Sequence, residues 1–280
     1  MSAGTPVLIN GEAQDYVSIQ DRGFQYGDGV FETIAVCAGR PALWEHHLAR
    51  LQEGCSRLGI EAPEEDVLRI EAERLCATSM ARAVLKLIIT RGQSVRGYAA
   101  RNAGPPTRVL ELRPWPDYPA GSAQRGVDVR ICETRISRNP RLAGIKHLNR
   151  LEQVLARSEW DTEFAEGLML DEHGHIIEGT ATNVFLVSQG TLLTPDLAQS
   201  GVAGVMRETV LGYAAAASIP CKITQINRPM LDTAEEVFLT NSLIGIWPVR
   251  RVESRSYGPG DTTRQLQQGI KGTHCFDEAL

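Results

Sequence analysis

Apolar positions along this chain recur with two periods, and the period separates strands from helices. In PVLINGEAQ, residues 6–14, a short apolar run meets Asn10-Gly11, a dipeptide suited to a tight hairpin turn. GVFETIAVCAGRPALW, residues 29–44, predicts two strands around Ala38-Gly39-Arg40. From about 45 to 58 the spacing becomes helical, with His47, Leu48, Leu51 and Leu58 on one face. A second helix is expected from about 64 to 79. AVLKLIITRG and TRVLELRPW are β-rich runs, and GVDVRICETRI is another. Leu148, Leu151, Val154 and Leu155 then recur at helical spacing, so a helix is expected to begin near His147, directly after Lys146. EGLMLDEHGHIIEG and TNVFLVSQGTLLTP read as hairpins, GVMRETVLGYAAAAS as a helix, CKITQINR and EEVFLTNS as strands, and 261–271 as a last helix.

The run RPWPDYPAG holds three prolines in nine residues and is the best candidate for an interdomain linker. It predicts an N-terminal domain over 1–115, a linker over 116–121 and a C-terminal domain over 122–280. Strands and helices mix without strict βαβ alternation, so the class is α+β, or mixed α/β.

Composition narrows the functional classes. The 280 residues suffice for two domains with sizeable cores. Charged residues are 22% and the formal charge is −5, with no long basic run, which argues against a nucleic-acid or anionic-membrane partner. No stretch has the roughly 18 unbroken apolar residues of a membrane span. The opening MSAGTPVLINGEAQ lacks the basic and then apolar pattern of a secretory leader. Six scattered cysteines without a CxxC read as reduced thiols of a cytoplasmic protein. The histidines show no ligand spacing, so no metal is expected.

Four features carry candidate chemistry, each with a plainer alternative. Lys146 before a helix start would sit in positive potential, which eases loss of its proton; a solvated surface lysine is the plainer reading. Glu178 ends an apolar strand, so it faces a loop mouth, is paired, or is only a turn residue. Gly201 and Gly204 precede a helix, where first-turn N–H groups suit a phosphate; a glycine-capped turn is the alternative. Arg50 lies on a mainly apolar helix face and Arg96 in the loop TRGQSVRGY, and arginine forks pair with phosphate or carboxylate. Either could equally be a solvated surface residue. Taken together, a lysine, an acid, a phosphate cradle and two arginines are the parts that hold pyridoxal phosphate.

The ordered motifs DRGFQYGDGVFET, HLARL, ITRG, KHLNRLEQVLAR, EGTATNVF, GVAGVMRE and FLTNS resemble the fold type IV family of pyridoxal-phosphate enzymes. That family holds branched-chain and D-amino acid aminotransferases and 4-amino-4-deoxychorismate lyases. AGIKHLNRLEQVLAR and RGQSVRGY look specifically like the lyase members, and Tyr98 stands where D-amino acid aminotransferases place a histidine. The resemblance implies a smaller N-terminal α/β domain and a larger C-terminal domain with a β-barrel-like core. It implies a cytoplasmic homodimer converting 4-amino-4-deoxychorismate to 4-aminobenzoate and pyruvate for folate synthesis, with aminotransfer on the same scaffold as the alternative.

At matching positions it implies that Lys146 bonds the cofactor aldehyde and shuttles a proton, and that Glu178 contacts the pyridine nitrogen. Arg50, the backbone of Val205 and Met206, and Ser242 would bind the phosphate. Thr180 and Asn183 would shape the loop beneath the ring. Arg96, Tyr98 and Phe31 would meet the substrate. Met206 replaces a threonine of some relatives, which leaves only its backbone to contact phosphate, and Phe31 replaces a tyrosine.

Overall fold

Five antiparallel strands build the first unit among the residues the structure describes. The structure is a computed structural model, and it describes residues 6–78, 82–94, 97–100, 103–258 and 260–272. This unit takes in Met1–Asp117 together with Ile145–Asn149. Its elements are β1 (Val7–Ile9), α1 (Arg22–Tyr26), β2 (Gly29–Cys37), β3 (Arg40–Pro41), α2 (Trp44–Leu58), α3 (Glu65–Cys76), β4 (Ala83–Thr90) and β5 (Thr107–Pro114). The sheet order is β1-β5-β4-β2-β3. Strand alternation sends Val30, Ile34, Leu85, Leu87, Ile89 and Leu110 to one face, where Leu48, Leu51 and Cys55 of α2 and Leu68, Ala72 and Leu75 of α3 cover them. The other face, with Phe31, Thr33, Lys86, Ile88, Val109 and Glu111, is half-buried. Both predicted tight turns form with positive φ, at Asn10-Gly11 and at Ala38-Gly39.

The second unit takes in Tyr118–Gly144 and Arg150–Leu280. It contains α4 (Ser122–Arg125), β6 (Val127–Arg135), α5 (Leu151–Arg157), β7 (Glu166–Leu170), β8 (Ile176–Gly179), β9 (Asn183–Ser188), β10 (Thr191–Pro195), α6 (Val205–Ala216), β11 (Cys221–Thr224), α7 (Arg228–Thr233), β12 (Glu236–Asn241), β13 (Gly245–Val252), β14 (Arg255–Ser256) and α8 (Asp261–Gly269). Its nine-stranded sheet runs β11-β10-β9-β12-β13-β6-β7-β8, with β14 on β13, and curls into a half-barrel. Strands β7, β8, β9 and β12 are buried along nearly their whole length, as their mainly apolar runs require. Phe185 and Phe238 lie across the β9–β12 pair, fully buried and stacked at 4.9 Å.

Three sequence expectations change. The helix expected from His147 begins at Leu151, after Arg150. Residues 146–148 instead pair with β2: Phe31 N–H donates to the Lys146 carbonyl and Leu148 N–H to that of Gly29, each at 3.0 Å. Lys146 therefore stands in extended chain beside a strand, where a helix macrodipole does not act on it as supposed. A division at 116–121 in chain order puts Lys146 beyond the linker, yet it packs with the first unit. Finally, Cys37 is disulfide-bonded rather than reduced, which no spacing pattern reveals. Cys55, Cys76, Cys132 and Cys221 are free thiols, and burial pushes the first three up to about 12.

Phe238→Ala should lower the unfolding free energy by about 3–5 kcal/mol, because it opens a cavity beneath the Phe185 ring. Urea unfolding followed by circular dichroism measures this, and a loss below 1 kcal/mol would mean that the sheet collapses to refill the space.

Candidate active site

In the first unit, the chemistry gathers around two consecutive residues of β2. The pleat turns Phe31 to the half-buried face and Glu32 toward α2. The Lys146 Nζ lies over the Phe31 ring, 4.4 Å from its centroid. Glu32 is almost wholly buried and meets two residues of α2 that stand one turn apart. His47 Nδ1 donates to Oε2 at 2.7 Å, Arg50 Nε donates to Oε1 at 2.8 Å, and Arg50 Nη2 closes the fork on Oε2. Burial alone would raise the Glu32 carboxyl, but the Arg50 guanidinium and the His47 hydrogen bond outweigh it and bring the group to about 2. His47 is pushed below the ordinary histidine value, chiefly by burial. Glu32 opposes that shift, and the positive charges of Arg50 and Lys146 reinforce it.

The loop that follows β4 is tied down by a residue the sequence reading passed over. Arg22 is buried in α1. It donates to the Gly97 carbonyl at 2.9 Å, to the Tyr98 carbonyl at 3.1 Å and to Ser94 Oγ at 3.1 Å, and it pairs with Asp28 at 2.8 Å. Arg91 grips the same Asp28 at 2.8 Å. Burial would raise this carboxyl, and the two guanidinium groups hold it below its ordinary value. Tyr98 is 86% exposed, with its ring edge-on to Tyr26. Arg96 lies outside the described residues.

In the second unit, two buried glutamates do different work. Glu166, at the start of β7, accepts from the N–H groups of Gly167, Thr180 and Ala181 and from the hydroxyls of Thr180 and Thr182. It fixes the loop 179–183, and the Thr180 hydroxyl is spent on it. Nothing marked Glu166 out in sequence except its Glu-Gly pair, which Glu178-Gly179 repeats. Glu178 accepts the Val202 N–H at 2.7 Å. Gly201 adopts φ +84°, which favours glycine, and an added side chain there would press on the Glu178 carboxylate. Asn183 holds the same loop by donating to the Val202 carbonyl at 2.9 Å, and a Cβ at Gly204 would lie 2.0 Å from its oxygen.

Helix α6 opens at Val205 with no side chain capping it, so the amides of Val205 and Met206 head a helix start suited to an anion. Ser242 lies in the β12–β13 turn. Asn241 braces that turn by accepting the N–H groups of Leu243 and Ile244, and it donates to the Ala181 carbonyl. Sequence reasoning did not single out Asn241; its place before a turn was the available signal.

Each unit by itself offers groups of the kind a phosphate-bearing aldehyde cofactor needs: the first a lysine amine and a guanidinium held in place, the second a buried carboxylate that accepts a backbone N–H and an uncapped helix start. Among the described residues no group of His, Cys, Asp and Glu could hold a metal ion, and no helix is long and apolar enough to cross a membrane.

Comparison with known proteins agrees with the geometry. Residues 29–252 match the family model described as amino-transferase class IV. The chain is 36% identical to the aminodeoxychorismate lyase of Vibrio harveyi, over 94% of this chain and 98% of that protein. It is 30% identical to a putative branched-chain-amino-acid aminotransferase of Methanocaldococcus jannaschii, over 97% and 99%. Among solved structures it resembles 4-amino-4-deoxychorismate lyase from Pseudomonas aeruginosa, with a TM-score of 0.90 and 48% identity over 94% of this chain and 97% of that one.

The Glu32 cluster makes a pH-dependent contribution to stability. A carboxyl at about 2 when folded and 4.5 when unfolded stabilises the fold fully above pH 4.5, and the contribution disappears as pH falls toward 2. Glu32→Gln should therefore cost ~3 kcal/mol near neutral pH, since it strands Arg50 beside a neutral amide. The gap from wild type should narrow below pH 4.5 in urea titrations; a gap independent of pH would show that the carboxylate charge contributes nothing.

Proposed function

The chain belongs to the amino-transferase class IV family, and from that premise we propose that it is a pyridoxal-phosphate-dependent lyase. Its substrate is 4-amino-4-deoxychorismate and its products are 4-aminobenzoate and pyruvate, a step toward folate. The observation that carries this reading is the likeness over nearly the whole chain to the Pseudomonas aeruginosa lyase structure, at about half of all positions. An aminotransferase on the same fold is the second reading, favoured by the similarity to the archaeal protein.

The residue roles follow from the chemistry. Lys146 would hold the cofactor through its aldehyde. Arg50, the amides of Val205 and Met206, and the Ser242 hydroxyl bind the phosphate. Thr180 and Asn183 act through the loops they brace. Glu178 keeps the pyridine nitrogen protonated. Bound pyridoxal phosphate supplies an electron sink. Lys146 Nζ, once free, would take the proton from the amine-bearing carbon of the substrate; the enolpyruvyl ether C–O bond would break as the ring becomes aromatic, and the departing enolpyruvate would take up a proton to become pyruvate. Aromatisation favours the elimination, so the protein mainly holds the substrate in place, with Arg96, Tyr98 and Phe31 as its contacts.

A homodimer in the cytoplasm completes the reading. The apolar side of α5 faces outward, with Leu151 76%, Val154 58% and Leu155 60% exposed. A second copy of the chain covers it. The free thiols Cys55, Cys76, Cys132 and Cys221 suit a reducing compartment, although the disulfide at Cys37 does not.

Borohydride reduction of the yellow holoenzyme should fix the cofactor to the peptide bearing Lys146. Lys146→Ala should lose the visible absorbance and nearly all turnover; a modified peptide elsewhere would remove Lys146 from its role. Given 4-amino-4-deoxychorismate and no keto acid, a lyase releases pyruvate and 4-aminobenzoate in equal amounts over many turnovers. An aminotransferase stops after one half-reaction. Leu155→Glu should shift the protein from dimer to monomer in sedimentation equilibrium; an unchanged dimer would place the interface elsewhere.

A further inference from the structure

The Phe31 ring carries a second lysine. Lys86 Nζ lies 3.9 Å from the ring centroid, and Lys146 Nζ lies 4.4 Å from the same point. Lys86 enters from β4, directly across from Thr33 on β2 and Glu111 on β5. Glu111 is its natural cross-strand partner. Its carboxylate, however, is bonded by Arg113 at 2.6 Å. Among the described residues the Lys86 ammonium has no hydrogen bond or ion pair, and it lies over the face of Phe31.

Burial is the main reason the Lys86 ammonium falls to about 8. Arg113 adds to that lowering, while Glu111 and Glu32 oppose it. At neutral pH the group is still mostly protonated. It is a half-buried cation with three donors and, among the described residues, no carboxylate within ion-pair distance, an arrangement that an arriving anion would improve. Phenylalanine at position 31 offers a ring face but no hydroxyl, so it accepts no hydrogen bond from either lysine.

We propose that Lys86 binds a carboxylate of the substrate, on the same Phe31 ring as the amine of Lys146 that performs the proton transfer. This rests on the proposed function, whose substrate bears one carboxylate on its ring and another on its enolpyruvyl group. The two ammonium groups share Phe31 as a common support, and distances of 3.9 and 4.4 Å to one centroid keep them within a span that a ring bearing an amine and an opposite carboxylate can bridge. A flexible lysine suits this task, because its point charge can follow a carboxylate on a leaving group as the C–O bond lengthens.

The test uses the holoenzyme and the variant Lys86→Met, which keeps the length of the side chain and removes the charge. The expected result is a KM for 4-amino-4-deoxychorismate raised about tenfold or more, as for the loss of a charge-assisted contact, with the visible absorbance of the bound cofactor unchanged. A KM within about twofold of wild type, on the scale of context effects alone, overturns the proposal and leaves Lys86 a packing residue on Phe31. Loss of cofactor absorbance in Lys86→Met also overturns it, because Lys86 would then serve the cofactor. Wild-type turnover is measured first. If no pyruvate forms, the lyase reading alone has failed, and the KM comparison is made with the carboxylate-bearing amino acid that the wild type does use.

Discussion

The pairing of residues 146–148 with strand β2 is the interaction on which the first unit's chemistry depends. Two backbone hydrogen bonds, from Phe31 to Lys146 and from Leu148 to Gly29, hold a lysine from beyond the proline-rich linker against the middle of the sheet. Those bonds fix Lys146 beside Phe31. The pleat of β2 then divides the work: Phe31 supports two ammonium groups on one face, and Glu32 anchors His47 and Arg50 on the other. A slip of one residue in the pairing of β2 with β4 would exchange those faces, placing the buried carboxylate among the lysines and a phenyl ring against Arg50. The register is guarded by the alternating core residues Val30, Ile34, Leu85 and Leu87, which cannot leave the helix-covered face without large loss of buried apolar area.

In the second unit the organising groups are carboxylates and amides in loops. Glu166 spends its oxygens on the loop 179–183 and becomes a structural group, whereas Glu178 takes one backbone donor from Val202. Asn183 and Asn241 join the same loops by side-chain hydrogen bonds to main-chain carbonyls. Irregular chain is thereby held by side-chain hydrogen bonds to its main chain. Glycines at 201 and 204 permit the close approach that those bonds require.

Much of this was legible in sequence where one local signal decided the outcome. The Asn-Gly and Ala-Gly turns, the alternation of GVFETIAVC and the helical face of His47, Leu48 and Leu51 each followed from a single period. The helix at 147 was misplaced because Leu148 continues the apolar spacing of Leu151, Val154 and Leu155, although it belongs to a strand-like segment bonded to Gly29. The same spacing hid a second point: the apolar side of α5 faces outward, and periodicity marks a face without naming what covers it. Strand β13 was missed because Pro248 and the pair Arg250-Arg251 break its pattern; its pairing with β12 and β6 is a long-range fact. Glu166 and Glu178 share the same Glu-Gly context, and only the fold distinguishes the glutamate that braces a loop from the one beside Val202.

The source of positive potential around Lys146 also moves when the helix moves. Without a macrodipole at that position, the potential comes from side chains: Lys86 on the same ring, and Arg50 on the far side of β2, whose charge acts with that of Lys146 to drive the proton from His47. Glu32 balances Arg50 through a bidentate grip, while the two lysines place positive charge on the half-buried face. The chain as a whole carries −5, so this face is locally opposite in sign to the protein that bears it. A small anion can therefore meet locally positive potential on this face although the net charge of the chain is negative. Such local focusing, unlike net charge, survives physiological salt because a partly buried site is poorly screened. Side chains at fixed distances from one aromatic ring can also favour a particular anion geometry, which a helix terminus acting along its axis does less well.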